Sequence, residues 1–156
     1  MFGLALALAI PTPVPVARAV SHAQGPLVLR APLDERSAVV AFGGSHPTAV
    51  VMEYAAGRWK QIPERAARVT PLNPRPGSVR SPGTVRLAAR FSAPGRILAA
   101  GLWLDKKAVP AAPKGTFTTF VARGLPRSVS TGRHYVIAFV GAGGVASARI
   151  WSFRVR

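Results

Sequence analysis

The chain has 156 residues, with 21 Lys+Arg against 5 Asp+Glu, a formal charge of +16, no cysteine and three histidines. That length allows one ordinary domain with a small appendage, and the lack of cysteine excludes a disulfide framework, cysteine-ligated zinc and thiol catalysis. Leu, Ile, Val and Phe make up 42 of the residues, above the fifth or so below which highly charged chains stay disordered, so the charge sits on a folded, loop-rich chain.

Phe2 to Ile10 is an uncharged apolar run, followed by Pro11, Pro13 and Pro15 and by small-x-small sites at Ala17-x-Ala19 and Ser21-x-Ala23. The run is too short to span a bilayer, and the prolines would break a spanning helix. The pattern predicts a secretory signal peptide over 1–23, although no Lys or Arg precedes the apolar run. Its removal would leave a net charge of +15 and place the protein outside the cytoplasm, secreted or in the periplasm or cell envelope.

Beyond it the chain reads as strands. Val outnumbers Leu, 18 to 12, and short β-branched runs alternate with Gly/Pro clusters, the spacing of a sandwich or barrel. Leu27–Arg30, Ala38–Phe42, Ala49–Tyr54 and Arg58–Ile62 are expected strands, with a hairpin at Gly43–Pro47. Glu64–Arg68 has room for one helical turn. Pro71 to Gly83 is the densest Pro/Gly segment of the expected mature chain. It divides a 24–70 region, too small for its own core and expected to pack on the rest, from a 71–156 domain. In Val85–Phe91, Val85, Leu87, Ala89 and Phe91 alternate with outward Arg86 and Arg90. Leu98, Ala100, Leu102 and Leu104 repeat that period, and Phe117, Thr119 and Val121 share a face. Tyr135, Ile137 and Phe139 alternate on one strand, and Trp151, Phe153 and Val155 on the last. Gly141–Gly144 joins these two as a hairpin. The fold class expected is all-β, an antiparallel β-sandwich with extra N-terminal strands or a hairpin. Trp151, Phe153, Tyr135, Ile137, Phe139, Leu102 and Phe91 are expected to face one another in one core.

The C-terminal stretch, about 71–156, resembles the immunoglobulin-like modules that occur in tandem in exported bacterial proteins. Leu104-Asp105-Lys106-Lys107 stands for their Leu-Asp-Gly-Lys strand end. Gly132-Arg133-His134-Tyr135-Val136-Ile137-Ala138 is similar to their Gly-x-His-x-Val-x-Val strand, and Trp151-Ser152-Phe153-Arg154-Val155 to their closing strand. Two places depart: Lys106 replaces the glycine, and Gly141-Ala142-Gly143-Gly144 replaces an acidic Asp-x-x-Gly-Asn turn. The resemblance implies a seven-strand Ig-like sandwich that binds, spaces or adheres and catalyses nothing.

The residues themselves favour no reaction. The five acids are Asp34, Glu35, Glu53, Glu64 and Asp105; only Asp34 and Glu35 are adjacent, in a turn-like context, and each acid is expected to pair with an arginine. No Gly-x-Ser-x-Gly elbow, phosphate loop or metal-ligand spacing occurs. His134 is expected to be solvated or edge-bonded on the face of Val136, and His46 to sit in an exposed turn. No catalytic residue, metal site or cofactor is expected. Cleavage after Ser21 would instead start the mature chain at His22, whose imidazole and amine chelate Cu(II), and this periplasmic copper-binding sandwich is the alternative reading. The main expectation is an envelope or secreted module whose partners are envelope components or another exported protein. Its unpaired cations, Arg86, Arg90, Arg133 and Arg154 among them, would touch anionic polysaccharide, phosphopolymer or lipid headgroups. Sequence-specific nucleic-acid binding is not expected, since the cations are dispersed and no aromatic-and-basic motif accompanies them.

Overall fold

The computed structural model describes residues 25–124 and 127–156, and every regular element among them is a strand. The first four, β1 (Leu27–Pro32), β2 (Ser37–Phe42), β3 (Thr48–Ala55) and β4 (Arg58–Gln61), form an antiparallel meander in chain order. Local chemistry sets its turns. Asp34 Oδ1 accepts the Arg36 N–H at 2.7 Å between β1 and β2. Ala56 and Gly57, both at positive φ, form the two-residue hairpin between β3 and β4.

Eleven strands follow: β5 (Arg68–Asn73), β6 (Val79–Arg80), β7 (Gly83–Val85), β8 (Ala88–Ser92), β9 (Ala99–Leu104), β10 (Lys107–Val109), β11 (Ala111–Gly115), β12 (Thr119–Gly124), β13 (Arg127–Val129), β14 (Gly132–Ala142) and β15 (Val145–Val155). One sheet has the order β11-β12-β8-β5 and the other β10-β9-β14-β15-β6, with β13 and β7 as a small extra pair. Every pairing is antiparallel except β6 with β15. Taking β5, β8, β9, β11, β12, β14 and β15 as strands A to G, the sheets read A-B-E-D and C-F-G, the strand order of an immunoglobulin sandwich. The described chain is thus an antiparallel β-sandwich with an additional N-terminal sheet.

The five-stranded sheet lies in the middle of three layers. Its inner sandwich face carries Leu102, Leu104, Val136, Ala138, Trp151 and Phe153, packed with Val69, Leu87, Phe91 and Ala122 of the other sandwich sheet. The buried Trp151 indole N–H donates to the Pro74 carbonyl at 2.8 Å. Its opposite face carries Ile137, Phe139, Ala146 and Ile150, and these pack against Leu29, Val39, Ala41 and Val51 of the meander. Tyr135 reinforces that junction, for its hydroxyl accepts the Gly44 N–H at 3.2 Å. The far face of the meander gathers Val40, Phe42, Val50 and Met52, with Trp59 against them.

Several expectations change. Tyr135, Ile137 and Phe139 do not share a core with Trp151, Phe153, Leu102 and Phe91; they face the meander. Two-sided burial is the cause: residues 136–140 are all buried, so both alternating sets on β14 are apolar. Phe117 lies in the turn between β11 and β12, 71% exposed, and Leu98 is equally exposed ahead of β9. Residues 64–68 form no helical turn, because Arg65 and Ala66 take left-handed φ and the chain enters β5 directly. The first sandwich strand therefore starts at Arg68, ahead of Pro71, and the Pro/Gly-dense segment falls inside the sandwich. The alternation of Val85, Leu87, Ala89 and Phe91 holds, all four being buried.

Candidate functional site

Burial alternates from Val85 through β8 to Phe91, so Arg86, ahead of the strand, and Arg90, on it, are exposed and point away from the sandwich core. Arg86 also fixes local backbone: its carbonyl accepts the Asn73 side-chain amide at 2.6 Å, and Asn73 Oδ1 accepts from the Arg80 guanidinium at 2.7 Å. Arg133 and Arg154 are direct cross-strand partners on β14 and β15. They alternate in phase with Tyr135 and Ser152, on the meander side of the middle sheet. The four arginines named from the sequence thus divide into two pairs on opposite sides of the sandwich.

The same alternation exposes cations that single-strand reading did not pick out. With Val69, Ala89, Phe91 and Ala122 turned into the core, Arg68 on β5, Arg90 on β8 and Arg123 on β12 face outward, and Lys114 on the edge strand β11 joins them; all four are exposed. Asp34 and Glu35 lie in the β1–β2 turn, Glu53 on β3, Glu64 after β4 and Asp105 between β9 and β10, so this face holds no acid.

Among the described residues no acid forms a salt bridge with an arginine. Among the described residues the one salt bridge joins Asp105 to His134, Oδ2 to Nδ1 at 2.9 Å. The β9–β10 turn places Asp105 at positive φ. From there Oδ1 accepts the Tyr135 N–H at 2.8 Å, and the Asp105 N–H returns a bond to the Tyr135 carbonyl at 2.7 Å. His134 Nε2 lies 2.8 Å from the Ser130 carbonyl. A carboxylate and a carbonyl only accept, so imidazolium satisfies both contacts. Burial alone pushes the His134 pKa down. The hydrogen bonds to Asp105 and Ser130, with the Asp105 charge, outweigh it and leave the pKa raised from 6.5. This constellation clamps a turn to a strand. Of the other acids, Asp34 closes its own turn and Glu64 accepts from the Ser147 hydroxyl at 3.2 Å.

Recesses adjoin the sandwich among the described residues, one of them around Glu64, Arg68 and Ser147. A groove of about 560 Å³ between the meander and β15 is lined by Gln61, Glu64, Pro76, Trp151 and Ser152 among others, with Glu64 its one acid. An apolar recess of about 210 Å³ opens between the two sandwich sheets, lined by Phe91, Ile97, Leu98, Pro113 and Phe120 among others. No group of three or more His, Cys, Asp and Glu side chains suited to a metal occurs among the described residues. His46 is exposed in its turn, 3.1 Å from the Ser45 hydroxyl. His22 and the whole 1–23 segment lie outside the described residues.

No family model matches the chain, and no curated protein does. Among solved structures it is similar to an endo-β-1,4-mannanase from Thermotoga petrophila, with a TM-score of 0.47 and 10% identity over 59% of this chain and 20% of that one. It is also similar to a tandem pair of titin Ig domains, with a TM-score of 0.36 and 9% identity over 78% of this chain and 62% of that one. The chain therefore spans less than two thirds of either. The immunoglobulin-like fold is read from the strand order itself.

Proposed function

We propose that this protein is an exported, non-enzymatic immunoglobulin-like module of the cell envelope that binds anionic polymers or surfaces. One observation carries the reading: no described Arg or Lys side chain forms a salt bridge, so the positive charge is left for outside partners. Guanidinium groups on rigid strands suit phosphate and carboxylate, to which they bond through paired N–H groups. Binding would release counterions and fall steeply with salt.

Chromatography of the secreted protein on heparin and phosphocellulose tests this. Its elution salt is expected to exceed that of an unrelated folded protein of equal size and net charge. Elution together with that control would sink the reading. N-terminal sequencing of the same material checks export and the competing copper reading: a first residue at Gln24 or later supports the former and removes His22.

A further inference from the structure

The cations are not equivalent. Register across the outer sandwich sheet puts Arg90 opposite Thr70 on one side and Val121 on the other, Arg68 opposite Ser92, and Arg123 opposite Ala88. Arg68 to Arg90 is therefore one strand across and two residues along, and Arg90 to Arg123 repeats the step in the same sense. Such diagonal neighbours stand about 7–8 Å apart. Three arginines form an evenly stepped line over β5, β8 and β12. Lys114, opposite Val121 on β11, is a further diagonal neighbour of Arg123. Thr70, Ser92 and Thr119 add hydroxyls on the same face, and no acid interrupts it.

Building on the polyanion reading above, we infer that this line is the binding site and that its ligand is a linear polyol-phosphate chain, one phosphodiester per repeat. Charge complementarity supports this: a row of cations across an open sheet face meets a row of anions, whereas one compact multivalent anion needs a pocket. The outward face of these four strands carries no aromatic side chain, and single-stranded nucleic acid is held by aromatic platforms on which bases stack. Phe117, beside this sheet in the β11–β12 turn, has the Arg96 guanidinium 4.6 Å from its ring centroid. An acyclic polyol phosphate offers charges and hydroxyls without bases, and this surface provides partners for both.

The test is titration of the full chain with synthetic poly(glycerol phosphate) at several salt concentrations around 0.15 M, where screening acts over about 8 Å and remote charges count little. Four contacts predict a slope of log K against log salt of about −3, taking roughly −0.7 per contact as for single strands. The variant R68Q/R90Q/R123Q/K114Q is expected to lose most of that slope. R30Q/R58Q/K60Q/K107Q, with equal charge removed from exposed positions elsewhere, is expected to keep it. Equal losses in the two variants would overturn the assigned face while leaving the polyanion reading intact. Tighter binding of oligo-dT at equal charge would overturn the ligand class. Failure of the unaltered chain to bind poly(glycerol phosphate), oligo-dT or heparin would overturn this inference and the polyanion reading together. Should the fourfold variant fail to fold, R90Q and R123Q singly are each expected to reduce the slope magnitude by about 0.7, and an unchanged slope in both would overturn the site.

Discussion

The middle sheet is covered on both sides, and the two covering sheets treat their far faces in opposite ways. On its face away from the middle sheet the meander holds Val40, Phe42, Val50 and Met52 as a further buried apolar cluster, each at most 4% exposed. The outer sandwich sheet turns Arg68, Arg90, Arg123 and Lys114 outward, all exposed. Both sheets bury one apolar face against the middle sheet; they differ in what the other face is built to meet. The total charge of the chain conceals this, because chemistry with an anion depends on which face is charged and free.

The strongest way to break the comparison is to unseat each covering sheet in turn. Phe91→Ala empties the core between the sandwich sheets and is expected to cost about 3–5 kcal/mol, lowering the urea midpoint of the whole molecule. Val39→Asp buries a charge on the meander's inner face. Hydrogen exchange is expected to show loss of protection at 27–61 while β8, β12 and β14 remain protected. Loss of protection throughout would show that the meander is no separable layer.

A milder probe is Gly43→Ala. A Cβ at Gly43 meets the Tyr135 hydroxyl at 2.6 Å and a Val28 methyl at 3.0 Å, so either the Tyr135 ring or the meander must shift. A loss of about 1–3 kcal/mol in thermal or urea melts is expected.

The Asp105–His134 clamp predicts a pH dependence. Because the folded pKa of His134 is raised from 6.5, its stabilisation is complete below the unfolded value and is lost as pH rises through the folded one. Stability measured from pH 5 to 9 is expected to carry that decline, and His134→Gln to remove it. The smallest effect sharpens the comparison from the other side: R90Q on the open face is expected to change stability by less than about 0.5 kcal/mol, so any loss of anion binding in it reports contact, not folding.

Strands with one wet face were legible in the sequence. Val85 to Phe91 and Trp151 to Val155 alternate clearly because half their residues meet water. On β14 the signal is ambiguous: Val136 and Ala138 serve one core and Ile137 and Phe139 the other, so alternation cannot say which partner takes which set. A single period through Phe117, Thr119 and Val121 misplaces Phe117, because the Thr116–Thr119 turn separates it from β12, which starts only at Thr119. The arginine line was out of reach for a different reason. Arg68, Arg90 and Arg123 lie on three strands whose register is a tertiary property, and only Arg90 is marked by its own alternation. Asp105 and His134 each stood in a recognisable segment, and the pairing of β9 with β14 joins them.

The edges of the sandwich have a consequence for crowding. An unpaired strand is a template on which another copy can add its own strand. Here β6 and β10 are only two and three residues long, β11, exposed along its whole length, carries Pro113 and Lys114, and β5, the other edge of the outer sheet, carries Arg68 and Pro71. Proline supplies no N–H and lysine repels a like-charged edge. Copies gathered side by side along one anionic polymer would thus lack a ready means of zipping into fibrils and would remain separate, reversible ligands of it.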